Sequence, residues 1–278
     1  MKHHTILLLI VLLNFTGCKS QSFNAMTYNI RLDVASDGEN AWVHRKNILS
    51  SQILFYSPDI LGLQEARPNQ ILDLKEALEN YKFIGSGRDG GNNGEYSAIF
   101  YNPKNFKVEK DSTFWLSETP AKISKGWDAA YPRICTYGLF TDLKTSKKIW
   151  IFNTHLDHVG EQARLNGIKL IQQRIAEVNT KNYPVILMGD FNVEPNSLLI
   201  ETLSKDMVNT ETVANLTFGP KGTFNDFKFN EPVTRKIDYI FMSKSHNIKI
   251  NKHAVLSNSN NLKYPSDHFP VYVELTLE

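Results

Sequence analysis

From about Ser22 to the C-terminus, the chain alternates short apolar runs with longer stretches in which apolar residues recur every three or four positions. Residues 23–30 read as a strand, 42–55 as a helix of mixed apolar and charged residues, and 59–64 as a second short strand, which is the punctuation of a βαβ unit. A helix is expected over 68–78, and strands over 81–85, 97–101, 106–116, 134–143 and 148–153. Ile168, Ile171, Ile175 and Val178 then recur at helical spacing. Further strands are expected over 184–188, 237–242, 248–256 and 271–277. Many short strands with few long helices predict sheets packed face to face with helices outside, a layered α/β sandwich. There is no internal repeat and no long Pro, Gly or Ser linker.

The first residues do not belong to that pattern. Met1-Lys2-His3-His4 precedes an apolar run over 6–15, broken at Asn14, which is too short for a mature bilayer span and suits an export signal. Phe15-Thr16-Gly17-Cys18 resembles a bacterial lipobox, with Phe15 where Leu is usual. That resemblance implies a lipidated Cys18 as the first mature residue, contact with a membrane through it, and an exported lipoprotein of a bacterial envelope; plain signal cleavage is the alternative. The expected organisation is a leader over 1–18 and one domain over 22–278. A chain of 278 residues with 41% apolar content can fill one large core. With Cys18 in the leader, Cys135 stands alone and reads as a buried thiol, not half of a disulfide. A net charge of +2 without a long Lys/Arg block does not advertise a groove for a long nucleic-acid duplex.

Polar residues sit where the predicted strands end. Asn29 closes the first, Glu65 follows 59–64, His155 and Asp157 follow 148–153, Asp190 and Asn192 follow 184–188, Asp238 opens 237–242, and Asp267-His268 precedes the last. Each alone reads as a turn former or an ordinary surface group. Together they are six segments delivering acids, amides and imidazoles to strand ends, where α/β folds build their sites. Zinc spacing of His and Cys is absent, so the inventory is that of a hydrolase assisted by a hard cation.

The order and wording of these segments resemble the endonuclease/exonuclease/phosphatase superfamily, the DNase I-like proteins. The words are Met26-Thr27-Tyr28-Asn29-Ile30-Arg31, Leu63-Gln64-Glu65, Gly94-Glu95-Tyr96-Ser97-Ala98-Ile99-Phe100-Tyr101, Asn153-Thr154-His155-Leu156-Asp157, Gly189-Asp190-Phe191-Asn192, Lys236-Ile237-Asp238-Tyr239-Ile240 and Ser266-Asp267-His268. The words around His155 look closest to secreted bacterial and deadenylase-like members. The resemblance implies a four-layer α/β sandwich, two packed and mainly antiparallel sheets flanked by helices. It also implies a phosphoesterase served by Mg²⁺ or Mn²⁺ and acting on a phosphodiester, with nucleic acids and nucleotides among the candidates. No protein partner is evident.

Roles follow from the same resemblance. Glu65, Asp267 and the amide oxygen of Asn29 would hold the metal, which favours few carboxylates and several waters. His268 would act as base or as a phosphate-oriented acid, with Asp238 accepting its ring N–H. Asp190 would orient or deprotonate the attacking water and Asn192 would bond the nucleophile or a phosphoryl oxygen. His155 would donate to a nonbridging oxygen and be steadied by Glu95. Arg133 would grip a phosphate, Trp127 and Tyr131 would stack a base or sugar, and Asp157 would support the cleft. The alternatives are a sphingomyelinase, a sugar or inositol phosphate phosphatase of the same fold, and an inactive lipid-anchored binding module.

Overall fold

Strand parity decides where each side chain of this protein goes. In a computed structural model, which describes residues 21–244 and 248–277, β1 (Gln21–Asn29) leads through a 3-10 segment (Ala35–Asn40) into α1 (Trp42–Tyr56) and β2 (Ile60–Gln64). Next come α2 (Pro68–Ala77), β3 (Lys82–Ile84), β4 (Ile99–Tyr101), β5 (Phe106–Trp115), β6 (Ile134–Asp142), β7 (Lys148–His155), α3 (Glu161–Val178) and β8 (Val185–Asp190). The chain finishes with α4 (Leu198–Leu203), β9 (Met207–Asn209), α5 (Thr210–Val213), β10 (Leu216–Phe218), β11 (Asp238–Ser243), β12 (Ile248–Val255) and β13 (Val271–Leu277). The leader and Cys18 lie outside the described residues.

One sheet runs β10-β12-β13-β1-β2-β4-β3 and the other β5-β6-β7-β8-β11-β9. Among the described residues only β1–β2, β7–β8 and β10–β12 pair in parallel, so the two sheets are mainly antiparallel, as expected. The stretch from α4 to β10 went unread in the sequence because elements of three to six residues are too short to show a period.

Successive residues of a strand face opposite ways, and here both faces are buried. Phe23 and Ala25 of β1, Ile60 of β2, Ile149 and Ile151 of β7, Ile186 and Met188 of β8, and Ile240 and Met242 of β11 fill the space between the sheets. Met26, Tyr28, Leu61 and Leu63 instead join Trp42, Leu49, Ile71 and Leu74 under α1 and α2. Trp150, Phe152, Leu187 and Phe241 join Ile168, Ile171 and Leu199 under α3 and α4. The result is four layers, helix-sheet-sheet-helix, and it explains why these strands read as nearly unbroken apolar runs.

At one end each inward row turns polar without leaving its parity. Asn29, Gln64, Asn153, His155, Asp190 and Asp238 occupy the inward positions that follow or precede the apolar ones, and all are buried. The sheets stay close here because Gly62 faces Asn153: a β-carbon on Gly62 would lie 2.8 Å from Asn153 Oδ1. Gln64 Nε2 donates to Asn153 Oδ1 (2.7 Å), and Asn153 Nδ2 donates to the carbonyls of Leu63 and Ala98 (2.9 and 2.8 Å), a polar clamp between the layers.

A second buried polar group sits on β12. Thr210 Oγ1 donates to the Ile240 carbonyl (2.9 Å), so the 3.0 Å contact with His253 is a donation from Nδ1–H, leaving Nε2 a buried acceptor without a partner. Burial, then the nearby Lys236 ammonium, which is itself paired with Glu211, pushes the imidazole down to about 4. The unfolded chain therefore takes up this proton first as pH falls. Stability from neutral His253 is complete above about pH 6.5 and is lost between there and about 4, a total near 3 kcal/mol. Urea unfolding across that range is expected to show this acid slope, and His253→Gln to flatten it; an unchanged slope in the variant would refute the assignment.

Candidate active site

Three adjacent strands bring three inward side chains into register. His155 of β7 lies opposite Asp190 of β8, and Asp190 opposite Asp238 of β11. Asp190 is the junction. Its Oδ1 accepts from the Asn192 backbone N–H (2.9 Å) and its Oδ2 from Asn29 Nδ2 (3.0 Å), which arrives from the other sheet. The same Oδ2 lies 3.4 Å from His155 Nε2 and 3.9 Å from His268 Nε2. Burial and the Asp238 charge raise the Asp190 carboxyl, against His268 and the two hydrogen bonds it receives.

His268 comes from the turn before β13. Ser266 Oγ ties that turn to the end of β1 by donating to the Asn29 carbonyl (2.7 Å). Asp238 Oδ2 lies 2.9 Å from His268 Nδ1, Phe224 stands edge-on to the imidazole at 5.0 Å, and Thr223 Oγ1 accepts the backbone N–H groups of Ile237 and Asp238. Burial opposes charge on the imidazole, but Asp238, with Asp267 and Asp190 beyond it, outweighs that and pushes His268 up to about 10. His155 goes the other way: burial, then the Arg133 and His268 charges, hold it well below the usual range. Asn192 Nδ2 donates to the Leu156 carbonyl (3.0 Å) and sits 3.0 Å from His155 Nε2, so in neutral His155 this nitrogen is the acceptor.

Glu65 and Asp267 complete the floor. Glu65 follows β2 with φ 65°, a left-handed backbone that a glutamate adopts at a cost of about 1–3 kcal/mol. This conformation sets its carboxylate to accept from Asn29 Nδ2 (3.0 Å) and the Leu32 backbone N–H (2.9 Å). Asn29, expected among the metal ligands, stands between Glu65 and Asp190 in this structure. Its oxygen accepts from the Arg31 backbone N–H (3.0 Å) and its NH₂ faces Glu65 and Asp190, so it is a donor that spaces two carboxylates. A flipped amide would set its oxygen against both acids.

Burial and the Glu65 charge raise the Asp267 carboxyl, with Arg31 (3.8 Å) a partial counterweight. Two buried acids raised in this way mark an excess of negative charge, which a hard cation fits by both charge and donor atom. Asp190, Asp238 and His268 also bring one ligand atom each within 4.8 Å of one another. In that trio, however, Nδ1 of His268 is engaged by Asp238, and Asp238 does not line the cleft. Glu65 and Asp267 do line it.

The cleft has a volume of about 630 Å³. Arg133 lines it, with Nε 3.2 Å from Asp157 Oδ2 and Nη2 3.0 Å from His158 Nδ1. Asp157 supports this wall by also accepting the backbone N–H groups of Ala130, Val159 and Gly160. Glu95 lines the cleft with His155, where it pairs with Arg88 (2.8 Å), and Asn192 and Asp190 make the polar contacts to the His155 ring. Trp127 stands outside the cleft lining, its backbone N–H donating to Glu118 (3.3 Å). Tyr131 lines the cleft, its ring engaged by His158 (5.9 Å between centroids) and Arg88 (5.0 Å). The sequence reading missed Leu32, Asp37, Arg67, Phe224, Asp226, Phe227 and Arg235, which also line the cleft. The word Thr223-Phe224-Asn225-Asp226, polar and aromatic before β11, is the signal that could have found the last wall.

A profile of the endonuclease/exonuclease/phosphatase family matches residues 26–268, nearly all of the described chain. The chain belongs to that family. An endonuclease/exonuclease/phosphatase family protein from Bacteroides thetaiotaomicron has the same fold with a TM-score of 0.89 and 36% identity, covering 94% of this chain and 99% of that one. A mannosyl-6-phosphatase from Bacteroides thetaiotaomicron gives 0.86 and 38%, over 91% of this chain and 99% of its own. An uncharacterized protein, L388, of Acanthamoeba polyphaga mimivirus is 28% identical over 248 residues, 84% of this chain and 91% of that protein. The family is one of hydrolases acting on phosphoester bonds, and its four-layer sandwich is the fold described above.

Gly189, in the family word around Asp190, is required by contact. Its φ is 147°, and a β-carbon there would lie 1.9 Å from the Thr154 carbonyl oxygen of β7. Gly189→Ala must therefore part β7 from β8 under the site. Urea unfolding is expected to show a loss on the order of 3 kcal/mol or more, and a variant as stable as the parent would contradict this packing.

Proposed function

We propose that this protein is a divalent-metal-dependent phosphoesterase that hydrolyses a phosphomonoester of a small hydroxylated molecule, with sugar phosphates the first candidates. The observation that carries the reaction is Asp190 Oδ2, placed between His155 and His268 at the floor of the cleft. Glu65 and Asp267 would hold the cation, Mg²⁺ or Mn²⁺, whose charge when bound offsets that of the phosphoryl oxygens and the leaving alkoxide. Asp190, fixed by Asn29 and Asn192, orients the attacking water and takes its proton onto Oδ2. His268, with Asp238 on Nδ1, offers Nε2–H to a phosphoryl oxygen as charge develops there. Asn192 fixes the neutral His155 beside the same oxygens, and Arg133 and Arg88 add positive charge to the wall.

For the substrate, the aromatic lining is informative. Tyr131, Phe224 and Phe227 each already hold an arginine of the protein over the ring, Arg88, Arg235 and Arg45 at 5.0, 5.1 and 5.7 Å. Fewer ring faces are then free to stack a nucleobase, which weakens the phosphodiester of a nucleic acid expected from sequence. The mannosyl-6-phosphatase at 38% identity over nearly all of its length supports a sugar phosphate.

Hydrolysis of hexose 6-phosphates, inositol phosphates, nucleotides, poly(A) and bis(p-nitrophenyl) phosphate is to be compared with Mg²⁺, Mn²⁺ or EDTA. Release of phosphate from a sugar phosphate that stops in EDTA is expected, and His268→Ala and Asp190→Asn should each lower kcat by about 10²-fold or more. Turnover in EDTA, or full activity in His268→Ala, would refute the mechanism; exclusive turnover of diesters would refute the substrate. We propose further that Cys18 anchors the exported protein. Labelling with an alkyne fatty acid should be lost in Cys18→Ala, and an unlabelled parent protein would exclude lipidation.

A further inference from the structure

Beside the catalytic cleft runs a second groove of about 700 Å³, between the start of α1 and the loop over 260–264, and the two share no lining residue. Its walls are polar by design of the local sequence. Helical spacing sets His44, Asn47 and Ser51 on one face of α1, apart from the buried Trp42, Leu49 and Ile53. Asn260 and Asn261 come from a tight turn closed by reciprocal backbone hydrogen bonds between Asn260 and Lys263 (2.9 and 3.0 Å). Asn261 and Leu262 in that turn have φ of 50 and 61°, and a leucine gains nothing locally from a left-handed backbone. The fold thus holds the turn in a conformation that its leucine does not favour. Tyr264 lines the same groove, its ring packed against Phe229 and Phe269 (5.0 and 4.8 Å).

The permanent charges of this groove are already matched. Glu39 and Lys263 pair with each other at 2.7 Å. Arg45 gives its guanidinium to the carbonyls of Ile30, Arg31, Asn40 and Pro265. By contrast, the side-chain amides of Asn40, Asn47, Asn260 and Asn261 make no hydrogen bond to other described residues. An anion finds no free cation here, so phosphate and nucleic-acid backbones are poor occupants. Each carboxamide presents donors and an acceptor side by side, which suits neighbouring hydroxyls that must donate and accept together. The Tyr264 ring adds apolar surface beside these amides, the mixture that an uncharged hydroxylated ligand needs.

We propose that this groove is a second ligand site, which binds a neutral oligosaccharide. The proposal does not depend on the reaction assigned to the cleft. Calorimetric titration of the full chain with neutral tetrasaccharides of mannose, glucose and galactose tests it, alongside a neutral tetrapeptide and inorganic phosphate. At least one tetrasaccharide is expected to bind the parent and His268→Ala alike, with Kd of roughly 10 μM to 1 mM, and at least tenfold more weakly to Asn47→Ala/Asn261→Ala. Both substituted positions are exposed, so the double variant should stay folded and lose only the modest stability that asparagine gives a left-handed backbone at 261. Backbone amide shifts on titration should cluster at 39–51 and 260–264, which reports the site even if a variant is lost. The proposal is overturned if no tetrasaccharide binds at about 5 mM, if the tetrapeptide binds more tightly than every sugar, or if the double variant binds as the parent does. Binding lost in His268→Ala but kept in the double variant would assign the sugar to the catalytic cleft, overturning the groove and leaving the phosphoesterase reading intact.

Discussion

The site depends on one hydrogen bond between layers, from Asn29 at the end of β1 to Asp190 at the end of β8. Each residue belongs to a different sheet, and apart from the Gln64–Asn153 clamp deeper in the sandwich the facing rows are largely apolar side chains that carry no direction. A directional bond at their polar end fixes which carboxylate oxygen faces which imidazole. Asn29 makes a second bond to Glu65, so the spacing of two acids is set by a single amide. Without it, the buried Asp190 and the half-buried Glu65 would lose a donor each and the layers would lose their alignment at the place where alignment matters.

Such an arrangement is costly to fold. Asp190, Asp238 and Asp267 are all buried, and charged groups leave water at a large penalty unless they are paired. Here the compensation is partial: His268 answers Asp238, amides answer Asp190, and Arg31 reaches Asp267 only at 3.8 Å. The left-handed Glu65 adds backbone strain to the same floor. The apolar rows between the sheets and under the helices provide the stability against which this polar end is maintained.

Much of this was legible in the chain. The inward residues could be located because they end apolar runs, and the sandwich followed from strand number and helix spacing. What could not be read was direction and partnership. An asparagine in a family word looks the same whether its oxygen meets a metal or an N–H, and only the two facing acids decide that Asn29 donates. Glu95 and Trp127 were given roles from the words they stand in, which do not show that Arg88 and Glu118 are their partners. Gln64 and Asn153, part of the quoted words, were given no role, because their task is to join the two sheets and depends on residues about 90 positions apart. Arg235 and Phe227 lie between short elements whose pattern carries no period.

The parity of the inward rows has a consequence for how this chain can change through time. His155 and Asp190 reach the cleft, and Asp238 reaches His268 beneath it, because each is an even number of steps from the apolar residues of its strand. Loss or gain of one residue inside β7, β8 or β11 would turn a carboxylate or imidazole into the helix layer and a phenylalanine or tyrosine into the cleft. Single-residue insertions and deletions are thereby barred from the strands and left to the connections. Where these connections rim the cleft, diversity in length can reshape its walls while the reacting groups keep their count.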